Sequence, residues 1–399
     1  MGKGRKKKAS RSSSKAEAPK ISSSNPVVFE VWVKAGGRCE FRGCNADLLQ
    51  DALTKHDARI ANIAHIVSRS RYGPRGDDPL PFDERNEIHN LMLACPKDHL
   101  LIDNKKLVGQ FPKELLLQYK REHEDRIQFL TTIGPDRETV VVRVVGNIRG
   151  DSVSISKEEV RKAVLEWDGR YPHFLGAENA IEIDLTNFPK EAGEAYWESA
   201  KSKIDEQVDQ RIIPAIDNRS IKHVSIFALC RIPLLIYLGY RLGDKIPLQI
   251  YQKQRVKGDG WGWEEDMNEI NFRSELLQQG KDPANVAVLL SLSGNISTVD
   301  LPEDINGAFS IYELSPRNSA PNRELMRSHS TLVAFRREYQ MLLRRIERDH
   351  KPLKEIHLFP ALPISAAVTC GREILKDVTP SLLVYDKMES TFRLTLRVN

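Results

Sequence analysis

Phe227-Ala-Leu-Cys-Arg-Ile-Pro-Leu-Leu-Ile-Tyr-Leu-Gly239 aligns without gaps to Phe359-Pro-Ala-Leu-Pro-Ile-Ser-Ala-Ala-Val-Thr-Cys-Gly371. Each copy follows a strand-like run (224–227 and 356–359), passes a proline-bearing turn and enters an apolar helix start. Each is followed by a second strand closing on a tyrosine, Leu248-Gln-Ile-Tyr251 and Leu382-Leu-Val-Tyr385, with the second copy two residues longer at that end. Two β-α-β units in one chain point to two related α/β subdomains packed as a pseudo-dimer. The alternative is two unrelated units, since any two β-α-β units look alike over so short an alignment.

Outward from this repeat, a chain of 399 residues is long for one core, so two domains are expected, with room for three. The formal net charge of +5 is unevenly spread. Residues 1–26 hold eight basic side chains (Lys3, Arg5, Lys6, Lys7, Lys8, Arg11, Lys15, Lys20) against Glu17, a surplus of seven that leaves the remainder near −2. This tail has almost no large apolar residue and is expected to be disordered. It reads either as a nucleic-acid-attracting arm or as a solubilising tail. Five cysteines are too few for a disulfide scaffold of this size, which fits a reducing cytoplasm. The charged N-terminus shows no signal peptide. The longest apolar run, 224–240, is broken by Arg231 and Pro233 and is too short for a membrane helix, so no membrane association is expected.

Residues 27–135 read as one domain, a loop-rich stretch followed by an amphipathic helix over 113–130, with the break at Gly134-Pro135-Asp136. Residues 136–399 read as a second: a strand over 139–145, helices at about 157–166 and 191–212, the two repeat units, and a long basic amphipathic helix over 322–348.

Chemistry concentrates between Cys39 and His99. Gly36-Gly37-Arg38-Cys39-Glu-Phe-Arg-Gly-Cys44, Ala64-His65-Ile66 and Asn90-Leu-Met-Leu-Ala-Cys95-Pro-Lys-Asp98-His99 place three of the five cysteines beside two histidines and an asparagine. The order His, Asn, His beside clustered thiols reads as an HNH nuclease finger. Zinc wants four soft or borderline ligands in a tetrahedron. Cys39, Cys44 and Cys95 offer three, and the fourth is Asp98 or its neighbour His99. The alternative is cysteines used only for core packing. Phosphodiester hydrolysis needs a base and a divalent metal. His65 as base, Asn90 orienting it and His99 on the metal supply these parts, although His65 in its apolar setting also reads as a core histidine and Asn90 as a turn cap. Arg75, in Gly73-Pro74-Arg75-Gly76, reads as a phosphate contact on DNA or as a solvated turn residue.

Residues 28–103 thus resemble HNH endonuclease domains. The region from about 139 to 399 resembles a SAVED domain, the cyclic-oligonucleotide sensor of bacterial antiphage systems. The resemblance is carried by Val144-Val-Gly-Asn-Ile-Arg-Gly150 with Val153-Ser-Ile-Ser156, by Ile181-Glu-Ile-Asp-Leu-Thr186, by the 227–239 block, by Tyr251-Gln252-Lys253 with Trp261-Gly-Trp263, by Leu292-Ser293-Gly294, and by 359–371 with Tyr385-Asp386. The whole chain is similar to the HNH–SAVED effector endonucleases of cyclic-oligonucleotide-based antiphage signalling (CBASS). The resemblance implies an α/β fold with a small α+β part: an N-terminal ββα-metal HNH finger joined to a SAVED domain of two fused CARF-like, Rossmann-type subdomains. It further implies a metal-dependent endonuclease acting on double-stranded DNA, with structural Zn2+ and catalytic Mg2+ or another divalent ion. Its activator would be a cyclic di- or trinucleotide such as 3',2'-cGAMP, and a homo-oligomer would grow on ligand binding. Two departures stand out. Ala64 sits where many HNH domains carry an acidic metal ligand, leaving Asp103 or Asn90 to replace it, and Asp98 sits where a Cys or His zinc ligand is usual.

A cyclic nucleotide needs aromatic faces for its bases and donors for its phosphates. Trp261 and Trp263, in a glycine-rich polar stretch, read as indoles presented by a mobile loop, or as anchors of that loop. Tyr251, Gln252, Lys253 and Arg255 follow the second strand of the first unit, at the sheet edge where open α/β folds bind ligands. Phe359, Pro360, Ser365 and Tyr385 form the equivalent edge of the second unit, and Ser293 completes the candidate ligand set. Lys253 and Arg255 also read as solvated charges.

Two functions compete. One is a ligand-activated DNA endonuclease. The other is a zinc-finger DNA-binding regulator with a small-molecule sensor and no catalysis, which Ala64 favours. A constitutive restriction-type nuclease is a third, distinguished by cutting without a cyclic nucleotide.

Overall fold

A computed structural model describes residues 17–399 except 21, 51–59, 149–150, 174–180, 189–192, 245, 255–259, 265–269, 354, 377 and 389–390. Most of the basic tail and Arg255 therefore lie outside the described residues. The chain divides into two compact units, Met1–Gly134 and Pro135–Asn399.

The first unit is built on a two-stranded antiparallel ribbon. Asn25 caps helix α1 (Pro26–Lys34) by accepting from the Val27 N–H, with Pro26 at the first turn where its missing N–H costs nothing. Strand β1 (Asn62–His65) pairs with β2 (Leu91–Ala94), Ala64 opposite Met92 and His65 opposite Leu91. Helix α2 (Pro96–Ile102) follows β2 directly, and the long α3 (Lys113–Thr131) closes the unit. Val31, Ala35, Cys39, Ala64, Ile66, Leu91–Ala94, Ile102 and Leu116 form its core, all fully buried. Alternation along β1 follows from the strand period: Ala64 enters the core while His65 faces the other way.

The second unit contains two sheets with one plan. In the first, β3 (Glu138–Ile148) is central. It carries β4 (Asp151–Ser152) at its end, β5 (Tyr171–His173) and β6 (Ile181–Leu185) on one side and β7 (Val224–Leu229) on the other, with β8 (Leu248–Ile250) beyond β7. Helix α4 (Lys157–Asp168) starts with a Ser156–Glu159 capping box and ends at Gly169 in a left-handed conformation. Helix α5 (Glu194–Gln207) runs through a π-helical turn, Val208–Ile212, into α6 (Ile213–Asp217), and α7 (Ile232–Leu242) joins β7 to β8. The second sheet has the order β14-β13-β12-β10-β11-β9. Its strands are β9 (Phe272–Gln278), β10 (Asn285–Ser291), β11 (Ser310–Pro316), β12 (Glu355–Ala361), β13 (Ser381–Met388) and β14 (Thr391–Val398). Helix α8 (His329–Asp349) precedes β12, and α9 (Ile364–Arg372) joins β12 to β13.

Both sheets share a four-stranded parallel core, β6-β3-β7-β8 and β11-β10-β12-β13. The registers match as well: Val144 lies opposite Ile183 and Ala228, and Leu290 lies opposite Leu314 and Pro360, with Ala228 and Pro360 at aligned positions of the repeat. Pro360 is tolerated inside β12 because β13 pairs only with residues 355–358, which leaves that side of the strand free of a ladder bond. Helices α7 and α9 pack on each other. The long basic helix begins at His329 rather than at 322, because the Ser328 hydroxyl caps it by accepting from the Thr331 N–H.

Candidate functional site

The first cluster lies at the start of α2. Cys95 is its N-cap, and its sulfur accepts from the Asp98 N–H at 3.4 Å. Asp98, one helical turn on, is thereby turned toward the thiols. Its Oδ2 accepts from Cys95 Sγ at 3.1 Å and from Cys39 Sγ at 3.3 Å, and Cys44 Sγ lies 4.0 Å from Cys95 Sγ. The four ligand atoms all fall within 4.8 Å of one another. A tetrahedral zinc with thiolate bonds of about 2.3 Å sets its ligands about 3.8 Å apart, so this donor set fits such an ion. Burial pushes the Cys39 thiol far above its ordinary value, and raises Cys44 as well. Burial opposes the Asp98 charge, but hydrogen bonds from Cys44, Cys95 and Cys39 hold its carboxyl below the usual range. Three thiols gathered on one carboxylate could hold a metal ion.

His99, the next residue, points elsewhere: its Nε2 lies 3.3 Å from Asp103 Oδ2, one turn further along. Of the two residues left open for the fourth thiol-side position, the structure brings in Asp98 and leaves His99 out. His65 lies near both His99 and Asp103. Its own ring is fixed by Asn86. The Asn86 amide nitrogen donates to the Pro19 carbonyl at 2.9 Å, so its Oδ1 accepts from His65 Nε2 at 3.0 Å. The proton then sits on Nε2 and the lone pair on Nδ1. Burial lowers the His65 pKa, against the Asn86 bond, which raises it.

Asn90 does not orient His65. Its side chain is buried and staples the loop after β1, donating to the carbonyls of Val67 (2.9 Å) and Arg85 (2.8 Å) and accepting from the Val67 N–H (2.8 Å). Arg85 continues the staple through the carbonyls of Ser68, Gly76, Asp78 and Leu80. Arg75 is likewise committed inward. Its guanidinium donates to the carbonyls of Ile66 (2.5 Å), Ile102 (2.8 Å) and Phe111 (3.3 Å) and to Asp103 Oδ1 (3.2 Å). A phosphate would have to displace these bonds, so Arg75 acts here as a clamp between the β1 loop and α2. Asp103 joins Arg75 to His99. Ala64 is fully buried in the core, and no carboxylate precedes His65. Asn86 was not read from the sequence, where nothing marks it apart from other loop asparagines.

In the second unit the residues expected to face a ligand divide into two groups. The aromatic ones are core. Phe227 stacks on Tyr251 at 4.3 Å, with Trp261 edge-on at 5.2 Å, and Phe359 stacks on Tyr385 at 4.3 Å, with Phe392 edge-on at 5.3 Å. Trp263 packs into the main core with its edge to His329. Trp261 and Trp263 are each 5 % exposed, which corrects the expectation of indoles presented to solvent: they anchor their loop. Pro360 is buried within β12, and the Ser293 N–H donates to the Ala361 carbonyl at 2.7 Å.

The polar group does converge, across the two halves. Gln252, just after Tyr251, accepts with Oε1 from the Ser365 N–H (3.1 Å) and hydroxyl (2.9 Å) at the first turn of α9. Asp386, just after Tyr385, accepts from Arg231 Nε at 2.6 Å, and Arg231 is the N-cap of α7. The next residues match too. Lys253 lies over Trp261 and pairs with Glu159, while Lys387 lies over Phe392 and pairs with Asp300. The sequence reading singled out neither Arg231 nor Lys387, although aligning Tyr251-Gln252-Lys253 with Tyr385-Asp386-Lys387 exposes the second lysine.

Residues 204–398, just under half of the chain, match the family model of the SMODS-associated and fused to various effectors sensor domain, SAVED. The chain therefore carries a SAVED domain, and the matched span contains both repeat units. No functionally curated protein matches significantly. Among solved structures, it is similar to the Acinetobacter baumannii Cap4 SAVED/CARF-domain containing receptor with the cyclic trinucleotide 2'3'3'-cAAA (15 % identity, TM-score 0.44, 74 % of this chain and 61 % of that one). The same receptor with 3'3'3'-cAAA gives 16 % identity, a TM-score of 0.45 and the same coverages. The Moraxella osloensis Cap4 receptor gives 14 %, 0.41, 74 % and 60 %. The chain spans about three-fifths of the length of these proteins.

Proposed function

We propose that this protein is a metal-dependent endonuclease that degrades double-stranded DNA in bacterial antiphage defence, switched on by a cyclic di- or trinucleotide bound to its SAVED domain. The observation that supports catalysis most is the setting of His65: its Nε2 is bonded to Asn86 Oδ1, burial lowers its pKa, and a neutral ring held this way keeps Nδ1 to accept a proton. Structural Zn2+ would be held by Cys39, Cys44, Cys95 and Asp98. His99 and Asp103 offer an imidazole and a carboxylate to a second ion, Mg2+ or a similar cation, and Asp103 takes the place of the acid absent at Ala64. Bound there, such a cation would hold the scissile phosphate and neutralise its developing charge. Asn90, Arg85 and Arg75 fix the loop that carries the chain from His65 to β2, and so keep the base and the His99–Asp103 pair in register.

Cyclic-nucleotide binding is supported by the SAVED match, and both Cap4 complexes above hold cyclic trinucleotides. The ligand must favour the active arrangement over the resting one, since equal affinity shifts nothing. The contact between copies of the chain is the proposed switch, read by light scattering during a ligand titration. Plasmid cleavage in Mg2+ with and without cyclic oligonucleotides tests the whole reading. The buried Ala64 favours the non-catalytic regulator, and the same assay separates the two.

A further inference from the structure

Resting on the cyclic-oligonucleotide reading above, we infer that Arg231 grips a phosphate of the ligand and that Asp386 is the counter-ion occupying it in the resting state. The two cross-half ties start from corresponding residues, Gln252 and Asp386, and end at the start of the other half's helix two repeat positions apart, since Arg231 aligns with Pro363 and Ser365 with Pro233. In each, the residue after the strand-closing tyrosine reaches the start of the other half's helix. One tie, Gln252 to Ser365, is uncharged and wholly buried. The other, Asp386 to Arg231, is an ion pair with side chains only 15 % and 12 % exposed. The fold thus ties Gln252 to the start of α9 without ions, and the ionic tie of Asp386 to the start of α7 carries a desolvation cost that joining the halves does not require.

The place of the pair favours an anion. It lies at the carboxyl ends of β7 and β13, where open parallel sheets bind ligands, and at the first turn of the eleven-residue α7. A carboxylate already accepts there from a guanidinium. A phosphodiester presents the same paired anionic oxygens, and Arg suits both in the same fork geometry. Ligand binding then exchanges one anion for another on Arg231 and frees Asp386 from α7, which cuts a tie between the halves. Because the opposite tie is uncharged, the two sides of a cyclic ligand meet unlike chemistry, and one orientation is preferred.

The test is the affinity of the full chain for cGAMP and for 3'3'3'-cAAA, in wild type, Asp386→Asn and Arg231→Gln, with melting temperatures recorded alongside. Asp386→Asn removes the carboxylate competing for Arg231 Nε and is expected to tighten binding at least about fivefold, whereas Arg231→Gln removes the guanidinium and is expected to weaken it at least about tenfold. Should Arg231→Gln unfold, Arg231→Lys serves: it keeps the charge without the fork and is expected to bind less tightly than wild type. Weakening by both Asp386→Asn and the Arg231 variant marks a structural tie and overturns this inference alone. No binding of either ligand by wild type overturns the ligand reading and this inference with it.

Discussion

Gly239 in α7 and Gly371 in α9 lie against each other's helix backbone: a Cβ on Gly239 would collide with the Val368 carbonyl, and one on Gly371 with the Ile236 carbonyl. The repeat aligns Gly239 with Gly371 and Ile236 with Val368, so the contact is its own image when the halves are exchanged. Small residues let the helix axes approach, and the ties at Gln252 and Asp386 then reach across. Gly239→Ala and Gly371→Ala are each expected to cost about 1–3 kcal/mol, because the opposing atoms are backbone and have little room to yield. Urea denaturation of the two variants measures this, and an unchanged midpoint in either would contradict the reciprocal packing.

Zinc should be present at about one ion per chain and should depend on Asp98 but not on His99. Elemental analysis is expected to show the metal retained in His99→Ala and lost or sharply reduced in Asp98→Ala, with Asp98→Cys restoring it. Retention in Asp98→Ala together with loss in His99→Ala would reverse the assignment made from the thiol cluster.

His65 is lowered below its ordinary value of 6.5, chiefly by burial. A base must be neutral, so cleavage is lost as pH falls through this lowered pKa, and the acid limb of the rate profile is expected below pH 6.5. His65→Ala is expected to reduce the rate by about 10²–10⁴-fold with DNA affinity nearly intact. Asn86→Ala, which frees the ring, should reduce the rate less. An acid limb well above pH 6.5 would point to another base.

Arg75 separates a clamp from a DNA contact. Arg75→Ala leaves three carbonyls and Asp103 without their donor, and is expected to destabilise the first unit by at least about 2 kcal/mol. A variant of wild-type stability that binds DNA more weakly would restore the phosphate reading.

How much the sequence disclosed depended on whether a residue's partners were local. The repeat was legible because strand, proline turn and apolar helix recur in order, and it located β7-α7-β8 and β12-α9-β13. The central strand β10 and, on one side of it, β11 and the edge strand β9 were not read, since short apolar runs there lack a turn signal tying them to the repeat. Cys39, Cys44, Cys95 and Asp98 were legible by type and spacing, but whether Asp98 or His99 completes them depends on which face of α2 each occupies. Trp261 and Trp263 misled because glycines beside an indole look like a mobile loop, whereas Phe227, far away in sequence, supplies the packing partner for Trp261. Asn86 and Arg231 were hidden for the same reason: their partners His65 and Asp386 are distant along the chain.

Cleavage is expected to depend on both units at once. The most direct measurement is plasmid nicking and linearisation by the full chain in Mg2+, titrated with cGAMP and with 3'3'3'-cAAA. Little or no cutting without ligand, strong cutting with one of them, and loss of that cutting in His65→Ala is the predicted result. Cutting that is equally fast without any cyclic nucleotide, or DNA binding without cutting under every condition, would contradict it.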